Sequence, residues 1–272
     1  MQISGKVMLI TGASSGIGRA LALLAAQKGA YVGLLARREE PLREAVQKIE
    51  DQGGKAVALK ADVSNDEDVE RAVKSTVERF GSLDILVNNA GLGYFGPVET
   101  MSLDDLDRIL QVNVYGIVRM VKTCLPYLKK SKGIVLNISS GLSKRALPYL
   151  AAYAGSKAMV DALSDALRLE LEEYGIKVLN YGPPETRTGF HQNTLTAQGF
   201  DFKDLSFGRK MASAEEVAQR LLLVITAEKR EVNEGRILQV MNLLAPRFLD
   251  RIFARMFQRI LQQTNEKESK GP

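Results

Sequence analysis

The chain has 272 residues, with 37 Lys and Arg against 32 Asp and Glu, giving a formal net charge of +5. That length suits one large α/β domain, and 45% hydrophobic content is enough for a full core. One cysteine, Cys124, excludes an internal disulfide and fits a reducing compartment; with a single histidine, His191, it leaves no ligand set for zinc, so no metal is expected.

Both signs of charge are mixed along the chain, and no Lys/Arg block resembles a nucleic-acid arm, so no nucleic-acid partner is expected. Met1–Lys6 leads straight into an apolar strand without a charged-then-apolar leader. No run approaches the roughly 18 apolar residues of a membrane span, and a cytoplasmic protein is expected.

Lys6–Thr11 reads as a central strand, followed directly by Thr11-Gly-Ala-Ser-Ser-Gly-Ile-Gly18 and a helix with Ile17, Leu21, Leu24 and Ala25 on one face. Glycines at 12, 16 and 18 allow the sharp strand-to-helix turn and let a phosphate approach the backbone, where the helix N-terminus offers free N–H groups. A second strand, Tyr31–Ala36, ends in Ala36-Arg37-Arg38. Dinucleotide folds place an acid about twenty residues beyond the glycines to bind the adenosine ribose. Here that place holds Ala36 with Arg37 beside it, and a guanidinium without a carboxylate favours a 2′-phosphate, hence NADP rather than NAD. Two surface arginines opening a helix are the plain alternative.

A third strand over 55–63 ends in Asp62-Val63, and Ser64-Asn-Asp-Glu67 reads as a capping box for a helix carrying Val69, Val73 and Phe80. Leu83–Val87 is a fourth strand running into Asn88-Asn-Ala-Gly91. Ser102 with Asp105 caps a helix through Leu106, Leu110, Asn113 and Met120 toward Tyr127. Asn113 is polar on an otherwise apolar face; a mid-helix asparagine ordinarily points outward or caps a neighbour. Strand Ile134–Ile138, helix Ala151–Glu173 and strand Lys177–Tyr181 follow. Unbroken alternation of strand and helix implies a parallel sheet covered on both faces.

Strand Ile134–Ile138 ends in two serines, and Tyr153 and Lys157 sit one turn apart on the following helix, facing the same way. Ser140 can face the same pocket. The three could move a proton to or from a carbonyl oxygen: Ser140 holds the oxygen, Tyr153 exchanges the proton, and Lys157 stabilises the tyrosinate. A free phenol titrates at about 10, and a neighbouring cation is the direct way to lower it. A lone Tyr-x-x-x-Lys is common on solvated helices and gains weight only from its surroundings.

Thr11-Gly-x-x-x-Gly-x-Gly18, Asp62-Val63, Asn88-Asn-Ala-Gly91, Asn113, Ser140 and Tyr153-x-x-x-Lys157 together resemble the short-chain dehydrogenase/reductase family, in its order and spacing, over roughly residues 5–190. The resemblance implies a Rossmann-type doubly wound α/β sheet of order 3-2-1-4-5-6-7 and hydride transfer between NADP(H) and a carbonyl/alcohol pair. It implies a catalytic set of Asn113, Ser140, Tyr153 and Lys157, with Asn113 holding a water in a proton relay behind Lys157. Lys157 would also bond the nicotinamide ribose, and Asp62 would meet the adenine. Cofactor contacts are implied for Gly12, Ser14, Ser15, Gly16, Ile17, Gly18, Arg37, Asp62, Val63, Asn89, Ala90, Gly91, Tyr153, Lys157, Pro183, Thr186 and Thr188.

Two departures carry information. Tyr181-Gly-Pro-Pro-Glu-Thr-Arg-Thr188-Gly-Phe keeps Pro183 and Thr188 in frame but has Pro184 where the family commonly has glycine, which stiffens the loop and removes a donor. The Pro-Pro-acid-Thr-x-Thr pattern is similar to that of the 3-ketodihydrosphingosine reductases within the family. The C-terminus departs too. After at most a short strand around Arg230–Val232, helical spacing appears in Ile237, Leu238, Met241 and Leu244, then Pro246. A second helix carries Phe248, Ile252, Phe253, Met256, Phe257 and Ile260, with Arg247, Arg251, Arg255 and Arg259 on another face. Such a helix suits peripheral contact with an anionic membrane, a cap over the substrate, or a homodimer contact.

The expected organisation is a catalytic domain over 1–233, a helical extension over 234–262 and a polar, frayed tail over 263–272. Leu142, Leu147, Leu150, Phe190 and the C-terminal Phe and Met residues suggest a hydrophobic ketone, with a 3-ketosphinganine-type lipid as the leading substrate. A broad carbonyl or steroid reductase, and a non-catalytic NADP-sensing protein, are the alternatives.

Overall fold

The computed structural model describes residues 1–197 and 211–269, and the side chains of all of these except 236–238 and 259–269. Seven strands, β1 (Val7–Thr11), β2 (Tyr31–Ala36), β3 (Lys55–Lys60), β4 (Ile85–Asn88), β5 (Ile134–Ile138), β6 (Lys177–Gly182) and β7 (Glu231–Asn233), form one sheet of order 3-2-1-4-5-6-7. Every pairing is parallel. The expected topology is therefore present. β1 and β5 are buried at every position, which their near-continuous apolar sequences require of strands covered on both faces.

The helices are α1 (Gly16–Gln27), α2 (Glu39–Asp51), α3 (Asp66–Phe80), α4 (Leu103–Leu110), α5 (Gly116–Ser131), α6 (Ala151–Glu170), α7 (Ala214–Thr226), α8 (Arg236–Leu244) and α9 (Pro246–Ser269). Alternation along each strand sends neighbouring side chains to opposite faces. Met8 and Ile10 of β1 share one core with Leu21, Leu42 and Leu221 of α1, α2 and α7. Leu9 between them lies in the core on the other face, with Val69, Met120 and Val160 of α3, α5 and α6. Cys124 lies in this second core, where burial pushes its thiol well up and leaves it an inert apolar filler.

Three local expectations are corrected. The third strand ends at Lys60, because Asp62 turns away: its carboxylate accepts from the Ser64 N–H at 2.9 Å and the Ser64 hydroxyl at 2.7 Å. With Ser64 so engaged, the cap of α3 passes to Asn65, whose side chain accepts from the Asp68 N–H at 2.9 Å. Helix α6 stops at Glu170, and 172–174 tighten into a 3₁₀ turn closed by Gly175 in the left-handed region.

The C-terminal extension forms the two expected helices, with Pro246 opening the second, where its missing N–H costs nothing. The helix continues to Ser269, past Gln262, since no Gly or Pro interrupts 262–269. The side chains of Ile237, Leu238, Arg259 and Ile260 lie outside the described residues.

The shifted cap gives a direct test. Asn65→Ala should lower unfolding free energy by about 1 kcal/mol, while Asn65→Asp keeps most of it. Denaturant midpoints measure both, and an unchanged midpoint in the alanine variant would place the cap elsewhere.

Candidate active site

The turn between β1 and α1 is shaped by close backbone approach. Gly12 and Gly16 have φ of 66° and 55°. A Cβ on Gly18 would stand 2.5 Å from Asn89 Nδ2 and 2.6 Å from the Gly12 carbonyl oxygen, so only glycine fits. Thr11 and Asn89 clamp this turn. The Thr11 hydroxyl accepts from the Asn89 and Ala90 N–H groups, each at 2.9 Å, and Asn89 Nδ2 donates to the Thr11 carbonyl at 2.9 Å. Helix α1 starts without a side-chain cap and without an acid in its first turn. Its leading N–H groups and positive dipole end are thus available to an anion.

The flanking side chains suit a dinucleotide. Arg38 Nη2 lies 3.3 Å from both Ser14 Oγ and Ser15 Oγ. Arg37 is exposed, with Nη1 3.9 Å from Asp62 Oδ2. From the loop after β6, the Thr188 side chain reaches the same turn, 3.0 Å from where a Gly16 Cβ would lie. Thr186 is held there by donating to the Pro184 carbonyl at 2.7 Å, and the Pro183 carbonyl accepts from the Gly141 N–H at 3.3 Å. Open backbone, an uncapped helix end and nearby guanidinium groups fit a pyrophosphate with an adenosine end.

At the C-terminal end of β5, Ser140 Oγ accepts from the Leu142 N–H at 3.1 Å, and its hydroxyl faces the Tyr153 side of the pocket. Burial raises the Tyr153 pKa above its ordinary value, and the Ser140 hydroxyl offsets part of that. One turn on, Lys157 is 4% exposed and Nζ donates to the Ile138 carbonyl at 2.8 Å. Burial pulls its pKa down to about 8, against the opposing pull of Asp161.

Asn113 is neither exposed nor a cap. A π turn over 111–115 joins α4 to α5 and rolls Asn113 inward to full burial. Its Oδ1 accepts from the Leu92 N–H at 2.7 Å, and Nδ2 donates to the Leu92 carbonyl and to Ser156 Oγ, both at 2.9 Å. Gly91 brings this group to Lys157: a Cβ there would lie 3.5 Å from Lys157 Nζ and 3.6 Å from Asn113 Oδ1.

Residues 6–199 match the family described as short chain dehydrogenase. The chain belongs to that family. Among relatives, glycine betaine reductase ATRR of Emericella nidulans is 36% identical over 82% of this chain, which spans only 18% of that protein. A 3-ketodihydrosphingosine reductase of Bacteroides thetaiotaomicron is 35% identical, over 78% of this chain and 76% of that protein. The structure of 3-ketoacyl-(acyl-carrier-protein) reductase from Brucella melitensis, complexed with NADH, matches with a TM-score of 0.75 and 30% identity, covering 86% of this chain and 95% of that one. An alcohol dehydrogenase from Thermococcus sibiricus, complexed with 5-hydroxy-NADP, has a TM-score of 0.73 and 31% identity, covering 84% and 94%.

In this short chain dehydrogenase, Ile17 and Val63 differ from the other candidate residues. Ile17 is partly buried against the first core, and Val63 is buried in the second with its side chain beside Gly116 of α5. A polar layer beneath the site was not anticipated from sequence. Asn88 Nδ2 donates to Asn137 Oδ1 at 2.8 Å, and Asn137 Nδ2 to Ser164 Oγ at 2.9 Å. Asn180, in register with Asn137, donates to Asp161 Oδ1 at 2.7 Å. Asp161 also pairs with Lys144 at 3.0 Å, which pairs with Glu231 of β7 at 2.9 Å. Although Asp161 is buried, hydrogen bonds from Ser139, Ser143, Asn180 and Lys144 keep its carboxyl below the usual range. The available signal was an asparagine recurring in the otherwise apolar strands Ile134–Ile138 and Lys177–Gly182.

The pH dependence follows from these groups. If the ammonium form of Lys157 supports turnover, ketone reduction should fall as pH rises through about 8. Asp161 favours that ammonium, so Asp161→Asn should move the alkaline limb to lower pH. A pH profile of kcat/KM measures this. An unmoved limb would uncouple Asp161 from Lys157, and a limb moved upward would reverse the assigned sign.

Proposed function

We propose that the protein is an NADPH-dependent reductase that converts a hydrophobic ketone to a secondary alcohol. Held at the turn of Gly12, Gly16 and Gly18, NADPH would supply a hydride to the carbonyl carbon. Ser140 donates a hydrogen bond to the carbonyl oxygen, the Tyr153 phenol delivers the proton to that oxygen, and Lys157 stabilises the resulting phenolate. Asn113 holds the relay that returns the proton. The observation that carries this reading is the convergence of Ser140, the half-buried Tyr153 and the buried Lys157 ammonium beyond the end of β5, with Tyr153 and Lys157 one turn apart on α6.

The preference for the 2′-phosphorylated cofactor rests on Arg38 beside Ser14 and Ser15 and on the exposed Arg37, with no carboxylate at Ala36. The preference for an apolar ketone rests on the walls next to the catalytic pair. The Phe190 ring lies 5.6 Å from that of Tyr153. Leu142, Leu147 and Leu150 join Phe95, Tyr149 and Phe257 in a cluster continuous with the segment between Ser140 and Tyr153. Helix α9 supplies Phe257 and so roofs this side. The likeness to 3-ketodihydrosphingosine reductase, together with these walls, makes a long-chain 3-ketosphinganine the leading substrate.

Two measurements test the reading. A turnover screen with NADPH should rank long-chain 3-ketosphinganine above steroid ketones and short 3-oxoacyl thioesters; equal rates on all three would favour a broad carbonyl reductase, and no turnover of any ketone would favour a nucleotide sensor. Replacing Ala36 with Asp and Arg37 with Ala should shift cofactor preference toward NADH by about tenfold to a hundredfold, as expected for losing a charge-assisted bond of roughly 1.5–3 kcal/mol. An unchanged ratio would move the discrimination to Arg19 or Arg38.

A further inference from the structure

The outer face of the C-terminal extension has a composition the reaction does not use. At the end of α8, Leu243 and Leu244 are 82% and 77% exposed, and Phe248 at the start of α9 is 59% exposed. Val240 and Ile252 extend the apolar surface, each at least 40% exposed. Arg247, Arg251 and Arg255 recur every fourth residue along α9 and are all exposed. Isolated exposed leucines are ordinary on a protein surface, but contiguous ones rimmed by charge mark a contact surface.

The orientation of this surface is fixed by the opposite side of α9. Leu249 and Phe257 are each 2% exposed. Phe257 packs against the Tyr149 ring at 5.7 Å, and Asp250 is ion-paired to Arg145. The arginines therefore project away from the domain. Between 236 and 258 the only acidic residue is Asp250, and Arg145 already engages it, so this stretch offers the arginines no acid of its own.

We propose that this surface docks on an anionic bilayer, with the leucines and Phe248 in the headgroup–acyl boundary and the arginines among the phosphates. A basic amphipathic helix with Leu and Phe beside the charges has the composition that lies in such an interface. Charge decides against a second copy of the chain: an isologous contact would set the same arginines toward each other, whereas anionic head groups supply the missing charge. The docking concerns a partner surface and does not rest on the reductase reading. It would also set the roof over the apolar cluster against the lipid phase.

The test is co-sedimentation of the full chain, without substrate, with phosphatidylcholine vesicles lacking or containing phosphatidylserine. Binding is expected only with phosphatidylserine and should weaken with salt, which screens these charges within about 8–10 Å at physiological ionic strength. Arg247→Gln, Arg251→Gln and Arg255→Gln together should reduce partitioning on the order of a hundredfold, at about 1 kcal/mol per arginine. Leu243→Gln with Leu244→Gln should also weaken it. NADPH binding by the same variants reports that they fold. Equal binding to both vesicle types, undiminished binding by either variant, or salt-insensitive binding would overturn the proposal. So would a parent that ignores vesicles but loses its dimeric size in the leucine variant, which would make the surface an assembly contact.

Discussion

The arrangement of this site depends on one buried ammonium. Lys157 is almost wholly removed from water, donates to the backbone of Ile138 at 2.8 Å, and titrates at about 8 in place of its ordinary value. A charge in that position needs partners from several elements. The end of β5 supplies the carbonyl, and Asp161 supplies a carboxylate one turn along α6. The Asn180, Ser139, Ser143 and Lys144 contacts in turn keep that carboxylate ionised. The polar layer under the site can be understood as the support of this one cation.

That support also ties the catalytic half to the sheet. Asn88, Asn137 and Asn180 occupy matching positions on β4, β5 and β6, where wholly apolar strands would have sufficed for stability. Their side chains reach across to α6 through Ser164 and Asp161. Tyr153 and Ser140 are consequently referenced to the same frame as the nucleotide turn, which Thr11 and Asn89 anchor to the end of β4. Small displacements matter in such a site, since catalytic geometry must hold to fractions of an ångström.

Much of this was legible in the sequence, and the parts that were not have physical reasons. Strands buried on both faces are apolar throughout, so β1, β2 and β5 could be placed from composition alone, and the glycine spacing located the nucleotide turn. Asn113 could be picked out as odd, but its burial depends on a π turn that no periodicity reveals. The cap of α3 moved from Ser64 to Asn65 because Asp62, brought round by the strand end, captures the serine hydroxyl. Nothing in the sequence sets Asp161 apart from other helical acids; only β6 and the segment after β5, distant in sequence, bury it. The desolvation that acts on Tyr153 is likewise a property of the assembled pocket.

The central claim is that Tyr153 transfers the proton while the surrounding frame only positions it. Turnover of a ketone by Tyr153→Phe, measured beside its affinity for NADPH, tests this most directly. The ring and Lys157 remain, so nucleotide affinity should stay close to that of the parent, while turnover falls by about 10²–10⁴, the scale of general acid–base catalysis. Turnover within a few-fold of the parent, with nucleotide binding intact, would contradict the account.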